Sequence, residues 1–186
     1  MNPSAAQLLA AVDRLAATEI VLLPNNGNVV LTAEQAAGMS ERRIAVVPTD
    51  SIPAGLAAMV AFDSGRAAAD NVHDMQETLA GVHSAEITHA VRDSELDGVV
   101  VKEGQVMGLV DGRLVVAADG LLDVFARVMA EFAKGDPEVI TVLTSFNGTA
   151  VNIAELEAAA HAACPTAEIE FHVGGQPLYP ILASAG

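Results

Sequence analysis

The chain has 186 residues, 52% of them hydrophobic, and its 9 Lys and Arg against 24 Asp and Glu leave a formal net charge of -15. So negative a surface repels phosphate backbones and anionic headgroups, which sets nucleic acid and membrane surfaces aside and favours a basic protein face as partner. No uninterrupted apolar segment approaches the roughly 20 residues that cross a bilayer, the N-terminus carries no secretory pattern, and one cysteine, Cys164, admits no internal disulfide. A cytoplasmic protein without membrane insertion is the expectation.

Ser4 with Gln7 makes a capping box, after which Leu8, Leu9, Val12 and Leu15 share one helical face. A buried strand is expected around Ile20 to Leu23, ending in Pro24-Asn25-Asn26-Gly27-Asn28. Thr32 with Gln35 reads as the cap of a short second helix, weakened by Gly38. Ile44 to Val47 is a second apolar run, closed by Pro48-Thr49-Asp50-Ser51. Pro53 then suits the first turn of a helix carrying Leu56, Met59, Val60 and Phe62. The next helix has Ala68, Val72, Met75 and Leu79 in register, with Gly81 to end it. Strand and helix alternating at this spacing predict parallel strands with crossover helices.

The pattern changes near residue 83. Ala85, Ile87, His89 and Val91 alternate as in a half-buried strand. Val99–Lys102, Gln105–Val110 and Arg113–Ala117 are short runs joined by Glu103-Gly104 and Asp111-Gly112, and they predict an antiparallel meander. Asp119 is a candidate cap for a helix holding Leu121 to Phe132, and Asn152 with Glu155 for another that stops before Pro165. Between them Val139–Leu143 reads as a buried strand. Ile169, Phe171 and Val173 alternate in a last clear strand, Gly174-Gly175-Gln176-Pro177 breaks it, and Leu178 to Leu182 is a short terminal run. The expected fold class is layered α/β. Residues 1–83 form one lobe with parallel strands, and residues 84–186 form a second with a mixed sheet containing the meander.

Three polar loops stand out: Asn25–Asn28, Thr49–Ser51 and His172–Gln176. The first two follow consecutive parallel strands, so they fall at the same sheet edge, where α/β proteins meet ligands and partners. They could form a recognition rim of amides and hydroxyls, or be the ordinary Asn, Pro, Gly and Ser of turns. None offers a strong nucleophile or a base-and-acid set, and there is no G-x-S-x-G elbow. Phosphate cradles of the G-x-x-x-x-G-K and G-x-G-x-x-G kinds are missing as well. His73, His83, His89, His161 and His172 show no metal-site spacing. His89 reads as a core or interface residue, His73 and His161 as solvated. Arg92-Asp93 with Glu95 and Asp97 is either a docking charge group or a solvated strand end, and Cys164 is a packed thiol.

With these residues laid out, a resemblance becomes visible. Leu22-Leu23-Pro24-Asn25-Asn26-Gly27-Asn28-Val29-Val30 with Ala33-Glu34-Gln35-Ala36-Ala37 resembles the C-terminal domain of bacterial fatty acid kinase, of the dihydroxyacetone-kinase-like family. Further matches follow in order: Val46-Val47-Pro48-Thr49 with Ser51-Ile52-Pro53 and Gly55-Leu56-Ala57-Ala58, then Ala90-Val91-Arg92-Asp93, Asp97-Gly98, and Gly174-Gly175-Gln176-Pro177-Leu178-Tyr179-Pro180. The resemblance covers essentially the whole chain.

It implies a fold like that of the DegV-type fatty-acid carriers. It also implies a division of labour in which ATP and Mg sit in a separate N-terminal domain and this chain holds no cofactor, no metal and no catalytic residue. Partners would be a fatty-acid-binding carrier of DegV type and the other domains of the same kinase. The residues expected at the partner- or ligand-binding rim are Asn25, Asn26, Asn28, Thr49, Ser51, Arg92, His172, Gly175 and Gln176. Two alternatives stand beside docking: a site for a fatty acid or phosphometabolite within the chain, and a structural module that pairs with a second copy.

Overall fold

The computed structural model describes residues 2–145 and 152–186. The chain divides into two compact units, Met1–Val82 and His83–Gly186, which are taken in turn.

The N-terminal unit runs α1 (Ala5–Val12), β1 (Glu19–Leu22), α2 (Gly27–Met39), β2 (Arg43–Val46), α3 (Ile52–Val60) and α4 (Ala68–Leu79). Strands β1 and β2 pair in parallel, with Leu22 opposite Val46. The Ser4–Gln7 capping box forms as the sequence implies. Helix α2 does not begin at the Thr32 cap. It starts at Gly27 with Asn26 as its cap, whose side chain accepts the Asn28 N–H at 2.9 Å. Asn is as good a cap as Ser or Thr, and here it starts the helix first.

Helix α3 begins as Pro53 suggests, capped by Ser51, whose hydroxyl accepts the Ala54 N–H at 3.3 Å. Its buried face is the small one, Pro53, Ala54, Gly55 and Ala58. The large residues Ile52, Leu56, Met59 and Val60 are exposed instead.

Helix α4 lacks a cap of its own, since Ala67 precedes it. Glu19 of β1 supplies one by accepting the Ala68 N–H at 2.8 Å while pairing with Arg43 at 2.8 Å. These two donors, Ala68 first and Arg43 second, hold the Glu19 carboxyl below its ordinary range. Buried Asn71 accepts the Asp63 N–H and donates to the Asp63 carbonyl, which ties the preceding loop to this helix. A small core of Val47, Ala58 and Met75, with Val21, Leu23 and Val72 against it, fills the unit.

The C-terminal unit contains β3 (His83–His89), β4 (Ser94–Leu96), β5 (Val99–Val101), β6 (Val106–Val110), β7 (Arg113–Ala118), α5 (Leu121–Phe132) with a 3-10 turn Ala133–Gly135, β8 (Val139–Thr144), α6 (Ile153–Ala163), β9 (Glu168–Val173) and β10 (Ile181–Ala185). Its sheet has six strands in the order β7-β6-β3-β10-β8-β9, with β8 and β9 parallel and the other neighbours antiparallel. This is the expected α/β class: parallel strands in the first half of the chain, and a mixed sheet with an antiparallel meander, β3-β6-β7, in the second.

The meander differs from expectation in one respect. Val99–Val101 does not pair with the following run. It turns back through Asp97-Gly98 onto β4 as a separate two-stranded hairpin. Asp97 and Gly98 both have positive φ, 52° and 79°, as the tight hairpin turn requires. Lys102-Glu103-Gly104 is only a loop between β5 and β6.

Sheet residues Ala85, Ile87, Ile140, Val142, Ile181, Ala183 and Ala185 share a core with α5 (Val124, Phe125, Val128, Met129, Phe132) and α6 (Leu156, Ala160). Phe125 meets Phe171 of β9 with ring centroids 6.4 Å apart. Helix α5 approaches β6 so closely that a Cβ on Gly108 would lie 2.7 Å from Val128 Cγ2. The β4–β5 hairpin covers part of the opposite sheet face, packing Val101 and Val99 with Leu114, Met107 and Leu109.

Three local expectations are corrected here. Asp119 does not cap α5; Gly120 holds the cap position, and the Asp119 carboxylate accepts the Gln105 side-chain amide at 3.0 Å. Asn152 holds the α6 cap position without a side-chain capping bond. His89, read as a core or interface residue, is exposed at the end of β3, which overturns the core reading.

Candidate functional site

The parallel register of β1 and β2 carries both chains out of the sheet side by side, and the Val47 N–H extends the ladder to the Leu22 carbonyl at 3.0 Å. The two loops beyond are then locked together. The Thr49 hydroxyl accepts the Asn25 N–H at 3.0 Å and donates to Asn25 Oδ1 at 2.8 Å. The Gly27 N–H donates to the Asp50 carbonyl at 3.2 Å. Asn25 has φ of 53°, a left-handed conformation that Asn tolerates better than most residues.

Its side chain lies directly over helix α3. A Cβ on Gly55 would come within 2.0 Å of Asn25 Oδ1, so only glycine leaves room at that position. Asn26 and Ser51, the caps of α2 and α3, therefore flank a single braced junction. Two helices start there side by side, both with their N-terminal ends at the same sheet edge.

Within this junction the polar side chains divide into two groups. Thr49 and Ser51 are buried, 1% and 4% exposed, and serve the brace and the α3 cap. Asn26, Gly27 and Asn28 are exposed, with Asn25 half-buried behind them. The outward surface is thus amide and backbone, on a support that is internally satisfied. Next to it the exposed face of α3 begins. Ile52, Leu56, Met59 and Val60 stand at spacings of four, seven and eight residues and so share one side of the helix. Leu56 is 50% exposed and Val60 86%. The apolar residues after Pro53 were visible in the sequence, but their periodicity reads as a core face. The role of Gly55 had no local signal, because its partner lies thirty positions away, as Gly55 less Asn25 gives.

The other expected site residues belong to the C-terminal unit. His172 is exposed at the end of edge strand β9, with Nε2 3.2 Å from Glu170 Oε2, and its carbonyl accepts the Thr144 hydroxyl at 3.3 Å. Gly174 donates its N–H to the Thr144 carbonyl at 2.9 Å, and Gly175 turns the chain with φ of 70°. Gln176 folds back so that its side-chain amide donates to the Leu143 carbonyl at 2.9 Å, and its Oε1 is buried without a partner among the described residues. His172, Gly175 and Gln176 thus gather at the ends of β8 and β9. Arg92 is exposed in a different loop, between β3 and β4. Its acidic neighbours are structural: Asp93 accepts the Glu103 N–H at 2.7 Å and Asp97 the Leu114 N–H at 2.8 Å.

Cys164 is buried with its thiol against the Met129 carbonyl, and burial raises its pKa. The exposed His73, Asp74 and Glu77 could bring three ligand atoms together on α4, but Asp74 is already paired with Arg66. No helix among the described residues is long and apolar enough to cross a membrane.

The fold is that of the DegV proteins. A DegV family protein of Corynebacterium glutamicum superposes with a TM-score of 0.69 at 16% identity, covering 99% of this chain and 81% of that one. The fatty acid kinase B3 protein of Streptococcus pneumoniae, solved loaded with linoleic acid, gives 0.66 at 15% identity over 98% of this chain and 76% of that one. The dihydroxyacetone kinase of C. freundii, solved with AMP-PNP and Mg2+, gives 0.57 at 13% identity over 98% of this chain but 41% of that one.

Sequence relationship is narrower. The family of FakA-like C-terminal domains, FakA being a fatty acid kinase component, matches residues 1–185, and the chain belongs to it. Protein YloV of Bacillus subtilis is 31% identical over 185 residues, covering 100% of this chain and 34% of YloV. An uncharacterised protein of Staphylococcus saprophyticus is 34% identical over 99% of this chain and 33% of its own length. The chain thus spans about a third of the curated relatives it matches, and the family expected from its motifs is the one found.

Proposed function

We propose that this chain is a non-catalytic docking domain of a fatty-acid-kinase-like protein. It engages a fatty-acid-binding carrier of DegV type so that the acyl carboxylate can be phosphorylated by ATP held in a separate domain. The observation that carries this reading is the junction of the N-terminal unit. There a rigid amide edge adjoins an exposed apolar face on α3, and the braced residues around it are directed to holding shape. Such a combination of apolar centre and polar margin is how protein interfaces are composed. Its effect on the reaction would be positional, since presenting the carboxylate in a fixed orientation replaces a random encounter with an aligned one. The formal charge of -15 favours a basic carrier face and an association that weakens as salt rises.

The test is calorimetric titration of the purified chain with a purified DegV-type carrier. Saturable binding with Kd on the order of micromolar, weakened by added salt, is expected. No heat at high micromolar concentration counts against the proposal.

A second reading, in which this chain itself holds a fatty acid, draws on the likeness to a fold solved elsewhere with linoleic acid. Native mass spectrometry separates the two, since a copurified lipid supports the second.

A further inference from the structure

We infer that the C-terminal unit carries a binding site for a small oxyanion, a carboxylate or a phosphate, in the cleft between the β6–β7 turn and the end of α5. The cleft has a volume of about 430 Å³, within the range of small-molecule sites. Val110, Val115 and Phe132 supply its apolar lining, and His83, Asp111, Arg113, Glu131 and Lys134 its polar one.

The polar groups are organised rather than merely adjacent. Asp111 sits at a positive φ of 49° in the tight turn and is held from three sides. Its N–H donates to the Ser84 carbonyl at 2.9 Å, its Oδ1 accepts the Ser84 N–H at 2.9 Å, and its Oδ2 lies 2.7 Å from His83 Nδ1. This bond orients the imidazole and leaves Nε2 as its second polar atom. Across the cleft Lys134 Nζ donates to Glu131 Oε2 at 2.5 Å. The α5 end closes against His83, since a Cβ on Gly135 would lie 3.9 Å from His83 Cδ2.

Both acids are thereby engaged by a base. Arg113 is left over: among the described residues its guanidinium pairs with no carboxylate. Unlike Arg42, which lines another cleft but donates to the Val12, Leu15 and Ala17 carbonyls, Arg113 lines its cleft without such a commitment. Its planar fork matches the two oxygens of a carboxylate or phosphate. The His83–Asp111 and Glu131–Lys134 contacts frame it, so each carboxylate of the cleft already has a partner other than the guanidinium. Val115 and Phe132 would receive the carbon part of the molecule.

The experiment is a nitrogen-15 NMR titration of the labelled protein at fixed ionic strength, with inorganic phosphate in one arm and acetate in the other. Saturable shifts at Gly112, Arg113 and Gly135, with half-saturation on the order of 1 mM, are expected in at least one arm. The arm that saturates tells a phosphate-type ligand from a carboxylate-type one. Arg113→Ala should raise half-saturation at least about tenfold. Arg113→Lys, which keeps the charge and loses the fork, should fall between. Arg127→Ala, an exposed α5 arginine paired with Asp123, should change nothing. Linear, unsaturating shifts in both arms overturn the proposal, as does saturation unaltered by Arg113→Ala in protein whose melting curve matches the parent. The site lies wholly within the C-terminal unit, so its failure would leave the docking proposal intact.

Discussion

In Met1–Val82 the hydroxyls of Thr49 and Ser51 are buried while Leu31, Leu56 and Val60 stand in solvent. In His83–Gly186 Val124, Phe125, Val128, Met129 and Phe132 of α5 are buried against a six-stranded sheet. The inner face of α5 follows the ordinary rule that large apolar side chains go inside, although Val91, Val100, Val173 and Leu178 elsewhere in that unit are exposed. Helix α3 departs from that rule where two helices leave a parallel pair, with the Asn25–Thr49 and Ser51–Ala54 hydrogen bonds at the point of departure. The contrast teaches that α5 turns its large residues into the core, whereas α3 packs through small ones and leaves its large ones exposed. Isolated exposed apolar residues need no explanation, but a run along one helix face beside a braced edge does.

Substitutions can break that contrast. Phe125→Ala, emptying the centre of the larger core, should cost about 3–5 kcal/mol by denaturant unfolding. A loss below 1 kcal/mol, on the order of a surface change, would deny the C-terminal unit its structural role. Gly55→Ala forces a methyl into Asn25 and should cost about 1–3 kcal/mol. It should also shift the amide resonances of Asn25 and Thr49, which share that contact, more than those of α5. If the brace is incidental, those resonances will stay in place.

Ser51→Ala removes the α3 cap and should cost about 1 kcal/mol. Amide exchange along Ile52–Val60 should quicken without a comparable change in the C-terminal unit. The smallest effect concerns acid. Because the Glu19 carboxyl is held low by the Ala68 N–H and then by Arg43, its contribution is complete above the ordinary carboxylate pKa and disappears as pH falls through the lowered one. Glu19→Gln should therefore flatten the acid limb of the stability curve. Curves that stay parallel to the parent down to the acid transition would show that the α4 cap contributes nothing.

Much of this fold could be read from the residues, and the failures have common physical causes. Continuous apolar runs disclosed β1, β2 and β8, and alternation disclosed β3 and β9, because burial on both faces or on one leaves those patterns. Strand β10 was different. Ala183-Ser184-Ala185 carries no apolar signature, yet it pairs on both sides, with β3 and with β8, because small residues suit a strand crowded by helices. Placing the two strand-end loops at one edge followed from parallel pairing, and the Asn25–Thr49 bonds realise it. The division of that edge into a buried brace and an exposed surface was not legible. It depends on contacts between residues twenty to thirty positions apart, such as Gly55 with Asn25. On α3 the periodicity misled, since small residues were buried and large ones left outside.

The most direct measurement is the affinity of a purified DegV-type carrier for two matched variants, Leu56→Asp on α3 and Leu122→Asp on α5, both at exposed positions. If the α3 face is the recognition surface, Leu56→Asp weakens binding by at least about tenfold, equivalent to about 1.4 kcal/mol, while Leu122→Asp stays within about twofold of the parent. Binding undiminished by Leu56→Asp, or diminished equally by both, would contradict the account.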